Sequence, residues 1–285
     1  MTVREIEREL AQLRDASTEP GAPPRLRTSV MTHIAWAPER WVDQAKETLA
    51  GLAERHPSRT ILLFPRPDDL PDRLDGEVDL RCFVQDGERR EVCSEVISLA
   101  LCGARASVPA SIVTPLLVSD LPVFLRWRGP PDFGSPQLEQ LAGLVDRLVV
   151  DSREWPDARA GLARLPELFD HVIVSDIAWA RTLPWRAAVA GLWPEIADAA
   201  RLRVAGPEAE AVLLCAWLGA RLKREVELEL EPAGEIELVE VDGRRALPER
   251  LLPKTPSDLL SDELEVFERD RIYEEAVRSF SSRPT

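Results

Sequence analysis

The chain has 285 residues, 45% of them hydrophobic, enough apolar material for one large domain or two of ordinary size. A formal net charge of −14 argues against nucleic acid, whose phosphates need a basic face, and against an anionic membrane surface. No apolar run reaches the roughly 18 residues of a membrane span, and the charged opening stretch MTVREIERELAQLRDA lacks the apolar core of a signal peptide, so a cytoplasmic protein is expected.

Val3, Ile6, Leu10 and Leu13 recur at helical spacing and predict an amphipathic helix over residues 2–16, followed by a proline-rich linker at 20–24. The β-branched stretch 27–37 reads as a strand ended by Pro38. Residues 38–55 fit a helix with Trp41, Ala45, Leu49 and Leu52 on one face, and an apolar strand follows before Pro65. Helix followed by buried strand is the rhythm of an α/β sheet. Strands at 78–84 and 90–102 flank Asp86-Gly87, a hairpin dipeptide, which makes the sheet mixed.

Residues 121–127 (LPVFLRW) are apolar on both faces and predict an inner strand. Strands at 147–151 and 171–175 alternate with helices, and Asp176 is placed to cap the helix over 178–193. The ten-residue apolar run AVLLCAWLGA reads as a buried helix rather than a bilayer span. Residues 225–231 alternate Glu with Val or Leu, and a Pro-Ala-Gly turn leads to a second strand at 235–241, predicting an acidic hairpin. An amphipathic terminal helix is expected over 257–280, with Phe267 and Ile272 on its apolar side. The expected fold is therefore α/β: a mixed sheet with flanking helices, in two linked α/β parts, with an acidic C-terminal hairpin and a terminal helix. The expected division is 1–26 as helix and linker, 27–170 as the first domain and 171–285 as the second.

Catalytic signatures are missing. There is no G-x-G-x-x-G, no G-x-x-x-x-G-K-[ST], no G-x-S-x-G and no H-E-x-x-H, and His33, His56 and His171 are scattered. Cys82, Cys93, Cys102 and Cys215 form no C-x-x-C pair, which argues against a thiolate zinc site. They are expected to be small buried hydrophobes without a disulfide. Glu225, Glu227, Glu229 and Glu231 form a solvated strand face or an acidic docking surface.

Four stretches are more particular: 56–59 (HPSR) leading into an apolar strand, 115–127 (PLLVSDLPVFLRW), 146–152 (DRLVVDS) and 176–186 (DIAWARTLPWR). In order and spacing they resemble the glucose-6-phosphate dehydrogenase assembly protein family, OpcA. The resemblance implies a non-enzymatic partner of glucose-6-phosphate dehydrogenase, an allosteric effector at the entry to the oxidative pentose phosphate pathway, with no cofactor of its own. In photosynthetic members that partnership is tied to redox control, for which this chain offers no close cysteine pair.

Within these stretches Arg59, Arg126, Arg128, Asp176, Trp179, Arg181, Trp185 and Arg186 are the candidate partner- or ligand-binding residues. Trp and Arg dominate protein–protein hot spots, and Arg also pairs bidentately with phosphate. The alternative reading is therefore a sugar-phosphate- or nucleotide-binding enzyme, or a metabolite-sensing adaptor, using Arg59, Arg126, Arg181 and Arg186. Packed tryptophans, a capping aspartate and surface arginines are the structural reading of the same residues.

Overall fold

A computed structural model describes residues 1–16, 25–26, 29–52, 55–84 and 91–281. The chain divides into two units: Met1–Val149 with Pro256–Val266, and Val150–Thr255 with the residues from Phe267 onward. The expected linker at 20–24 and the Asp86-Gly87 turn lie outside the described residues.

The first unit contains α1 (Val3–Ala16), β1 (Arg25–Leu26), β2 (Met31–Trp36), α2 (Val42–Leu52), β3 (Ser58–Arg66), β4 (Arg73–Val84) and β5 (Glu91–Cys102). It continues with α3 (Pro109–Val113), β6 (Val123–Trp127), α4 (Pro136–Ala142) and β7 (Arg147–Val150). The parallel order is β5-β3-β2-β6-β7, with β1 also parallel to β5 and β4 antiparallel along its other side. Every residue of β2 and β6 is buried, as the two-sided apolar character of β6 predicts. Their registered Trp36 and Trp127 stack with ring centroids 5.1 Å apart.

Alternation along β3 sends Arg59 to one face of this sheet and Thr60 and Leu62 to the other. α1 covers the Arg59 face, burying Ile6 and Leu10. α2 covers the other with Ala45, Leu49 and Leu52. A late helix, which becomes α9 in chain order (Pro256–Leu264), returns to pack on α2. The Ser257 hydroxyl donates to the Thr48 carbonyl at 2.8 Å, Arg55 pairs with Asp258, and His56 Nε2 meets Ser261 Oγ at 2.6 Å. Gly51 permits this approach, because a Cβ there would stand 2.6 Å from Ser257 Oγ.

One cysteine expectation is overturned here. The β4–β5 ladder sets Cys82 directly opposite Cys93, with Cα atoms 4.0 Å apart, and the two form a disulfide. Strand register decides this pairing, and register depends on cross-strand packing that spacing along the chain does not encode. Cys102 and Cys215 are buried free thiols, as expected.

The second unit holds α5 (Ala158–Arg164), β8 (Ile173–Asp176), α6 (Ile177–Arg181), α7 (Leu183–Ala190), β9 (Arg201–Gly206), α8 (Glu208–Leu222), β10 (Glu227–Pro232), β11 (Leu238–Val241), β12 (Arg244–Arg245) and α10 (Arg271–Ser281). The apolar run inside α8 is buried from Ala209 to Gly219, against α10 and α5. The expected acidic hairpin is not formed: β9 lies between β10 and β11, parallel to the first and antiparallel to the second. Charge supplies a reason. Arg201 sits 3.0 Å from Glu229, and Arg203 lies 3.2 Å from Glu231 and 3.3 Å from Glu240. Direct pairing of β10 with β11 would instead oppose glutamates. The same pairs neutralise part of the outward glutamate row.

The expected 257–280 helix is two helices. Asp270 Oδ1 accepts from the backbone N–H groups of Ile272 and Tyr273, both at 2.9 Å, and so starts α10 with its own cap. Phe267 and Ile272, expected on an apolar side, are exposed.

Candidate functional site

The second unit gathers charge at a point where strands give way to helices. Asp151 follows β7 directly, and Asp176 ends β8 and caps α6 as expected, its Oδ1 accepting from the Ala178 N–H at 2.9 Å and the Ser152 N–H at 3.0 Å. Arg181, in the last turn of α6, donates to both oxygens of Asp151 at 2.8 Å. Glu210 lies in the first turn of α8 with 0% exposure. It accepts from Arg153 Nε at 2.6 Å and stands 3.5 Å from Arg181 Nη1. Arg153 continues outward to both oxygens of Glu235, at 2.7 and 3.1 Å.

Burial governs the electrostatics. It pushes Asp176 up to about 6, with the neighbouring Asp151 charge adding to the effect. It pushes Glu210 up to about 7, outweighing the attraction of Arg153 and Arg181. For Arg181 burial opposes the charge, but the hydrogen bonds and charge of Asp151, with Glu210 and Asp176, hold it protonated above its ordinary range. Ser152 Oγ, Asp176 Oδ2 and Glu210 Oε2 are buried without a hydrogen-bond partner. Three buried carboxylates against two guanidiniums leave the network able to retain a proton near neutrality. No described group of three or more His, Cys, Asp or Glu could hold a metal ion.

Next to this network, Trp179 and Trp185 are buried. Trp179 Nε1 donates to Asp270 Oδ2 at 2.7 Å, and its ring lies 5.5 Å from that of Tyr273. Arg186 stacks its guanidinium 3.5 Å over the Trp179 ring and donates from Nε to the Thr182 hydroxyl at 3.0 Å. Burial draws its pKa down to about 10, with Asp270 opposing.

The three remaining candidates belong to the first unit. Arg59 is buried on the α1 face, donating to Glu95 at 2.8 Å, Glu7 at 3.2 Å and the Leu116 carbonyl at 2.8 Å. Arg126 and Arg128 lie on the α2 face, beside a small cavity lined also by His33, Thr48, Ala45 and Leu260. Burial, with Arg126 and His56 adding, pulls His33 down to about 3, so its ring is neutral. Arg59 and Arg126 thus occupy opposite faces of one sheet, whereas Asp176, Trp179, Arg181 and Arg186 come together within the second unit. Asp151, although inside the 146–152 stretch, and Arg153 and Glu210 were not among the candidate residues. Their signals were faint: an acidic residue closing the buried strand 147–151, and two glutamates, Glu208 and Glu210, heading a largely apolar helix.

Two family models cover most of the chain in sequence order. Residues 49–167 match the glucose-6-phosphate dehydrogenase subunit N-terminal domain, and residues 172–277 match the corresponding C-terminal domain. The chain belongs to the OpcA family. Its relatives in that family include OxPP cycle protein OpcA of Nostoc punctiforme, 28% identical over 183 residues, covering 60% of this chain and 39% of that one. The Synechococcus elongatus OpcA is 26% identical over 184 residues, covering 60% and 41%. The Synechocystis OpcA is 22% identical over 183 residues, covering 60% and 38%. The chain therefore matches about two fifths of the length of these OpcA proteins. A crystal structure described as an oxidoreductase of Magnetospirillum magnetotacticum overlays 88% of this chain and 99% of its own, at 13% identity and a TM-score of 0.42. The OpcA domain boundary at 167–172 falls between Asp151 and Asp176, so the charged network draws residues from both matched segments.

Proposed function

We propose that this chain binds glucose-6-phosphate dehydrogenase and favours its active conformation or oligomer, without performing chemistry itself. The observation that carries the reading is the ordered match of two domains, both described as parts of a glucose-6-phosphate dehydrogenase subunit, across residues 49–277. The names of the OpcA relatives, tied to the oxidative pentose phosphate cycle, support the same pathway. The geometry is compatible with it. The conspicuous arginines are spent on internal carboxylates and carbonyls: Arg59 on Glu95, Arg181 on Asp151. The opposed placement of Arg59 and Arg126 weakens the competing idea of one arginine-lined phosphate site. An effector acts by binding one state of its target more tightly than the other, and the shift it achieves is limited by that difference. The test is co-purification with the cognate dehydrogenase, together with steady-state kinetics of that enzyme with and without this chain. A shared elution peak and a changed kcat or KM are expected. Separate elution with unchanged kinetics would refute the reading.

A further inference from the structure

The face of α7 turned away from the core has a composition that packing alone does not account for. Leu183, Arg186, Ala190 and Trp193 recur at intervals of three and four. Helical turns continue past the end of α7, with the Gly191 N–H bonded to the Ala187 carbonyl at 3.0 Å and the Trp193 N–H to the Ala190 carbonyl at 3.1 Å. The four residues therefore form one stripe, about 15 Å long at 1.5 Å per residue. Trp185 and Val189, on the adjoining face of the helix, are buried. Leu183 is 60% exposed and Trp193 62%, so the stripe ends in two large apolar side chains in water.

Between them lies Arg186, half-buried and without an ion pair among the described residues. Asp270, the one acidic group acting on it, is already engaged. Its Oδ2 accepts from Trp179 Nε1 and its Oδ1 from the N–H groups of Ile272 and Tyr273. Stacking on Trp179 and the bond from Nε to Thr182 hold the guanidinium in place, leaving its Nη groups to meet a ligand. A fixed cation loses little conformational entropy on binding, and a guanidinium edge matches a carboxylate.

We infer that the Leu183–Arg186–Trp193 stripe is a protein-docking surface whose occupant is an apolar segment of the partner enzyme carrying an Asp or Glu side chain opposite Arg186. The inference rests on the proposed partnership with the dehydrogenase and adds the surface and its chemistry. Charge complementarity selects the acid: the guanidinium lacks a counter-ion in a chain of net charge −14. The two apolar ends select a polypeptide segment, since a small phosphorylated metabolite would cover the cation without reaching both Leu183 and Trp193. Trp and Arg are also the residues that most often dominate such contacts.

The experiment measures binding of the full chain to the immobilised cognate dehydrogenase at several salt concentrations. The variants are Trp193→Ser, Leu183→Ser and Arg186→Gln, each checked by thermal melting. The first two change exposed side chains, so their folding is expected to be unaltered. Trp193→Ser is expected to weaken binding at least tenfold, Leu183→Ser several-fold, and Arg186→Gln to weaken it while flattening its salt dependence. Wild-type binding that both serine variants retain at full strength would overturn the surface and leave the partnership standing. An unchanged salt dependence in Arg186→Gln would overturn the acidic occupant. A wild-type chain that fails to bind the enzyme would overturn the partnership, and this assignment with it.

Discussion

Arg181 holds both carboxylate oxygens of Asp151 at 2.8 Å, across thirty residues of sequence and out of reach of most solvent. Removing one partner of a buried pair leaves an uncompensated charge, which typically costs about 3–5 kcal/mol. Arg181→Met is therefore expected to lower the unfolding free energy by about that much, read from urea denaturation. The double variant Arg181→Met with Asp151→Asn should recover much of the loss, because it removes both charges. A single-variant loss below about 1 kcal/mol would mean that the pair behaves as an exposed one.

Glu210 and Asp176 set a pH dependence of definite sign. Their folded-state pKa values, about 7 and about 6, lie above the ordinary 4.5 and 3.8. The folded protein then binds more protons than the unfolded chain between roughly pH 4 and 7, so their contribution is greatest at low pH and is lost as pH rises through that window. The loss attributable to Glu210 is on the order of 1–3 kcal/mol. Denaturation at stepped pH should show Glu210→Gln losing less stability than wild type between pH 5 and 8. Parallel curves for the two proteins would contradict the assignment.

Gly51 and Ser257 form a close contact between α2 and α9. A methyl group at Gly51 would meet Ser257 Oγ at 2.6 Å and its Cβ at 2.9 Å. Gly51→Ala should gain a few tenths to 1 kcal/mol in helix propensity yet lose more to overpacking, about 1–3 kcal/mol. Ser257→Gly in the same chain should restore part of the melting temperature by removing both offending atoms. Stabilisation by Gly51→Ala alone would show that α9 yields freely.

The Cys82–Cys93 bridge is open to direct chemistry. Alkylation of the unfolded, unreduced protein should label two cysteines, Cys102 and Cys215, and alkylation after reduction should label all four. Intact-protein mass spectrometry counts the labels. Four labels without a reductant would place the two thiols opposite each other unbonded.

Much of the architecture was legible in the chain because burial leaves a local imprint. The apolar runs of β6 and α8 and the capping position of Asp176 reflect contacts made within a few residues or with water. A strand apolar on both faces has to be internal whatever its neighbours are. The candidate residues were harder to read, because a tryptophan or arginine has the same letter whether it faces a partner or the core. Trp179 and Trp185 stood out in the sequence and are buried, while Trp193 closes the exposed stripe.

Fold class, the positions of most strands and helices, the lack of familiar catalytic motifs and the family likeness are all written in the order of residues along the chain. Which distant residues meet is settled by the folded packing alone. It set Cys82 opposite Cys93, inserted β9 between β10 and β11, sent Arg59 and Arg126 to opposite faces, and joined Asp151 to Arg181. Local periodicity records which side of an element is buried. The choice of partner depends on register and long-range packing, where many pairings satisfy the same pattern and only the whole fold selects one.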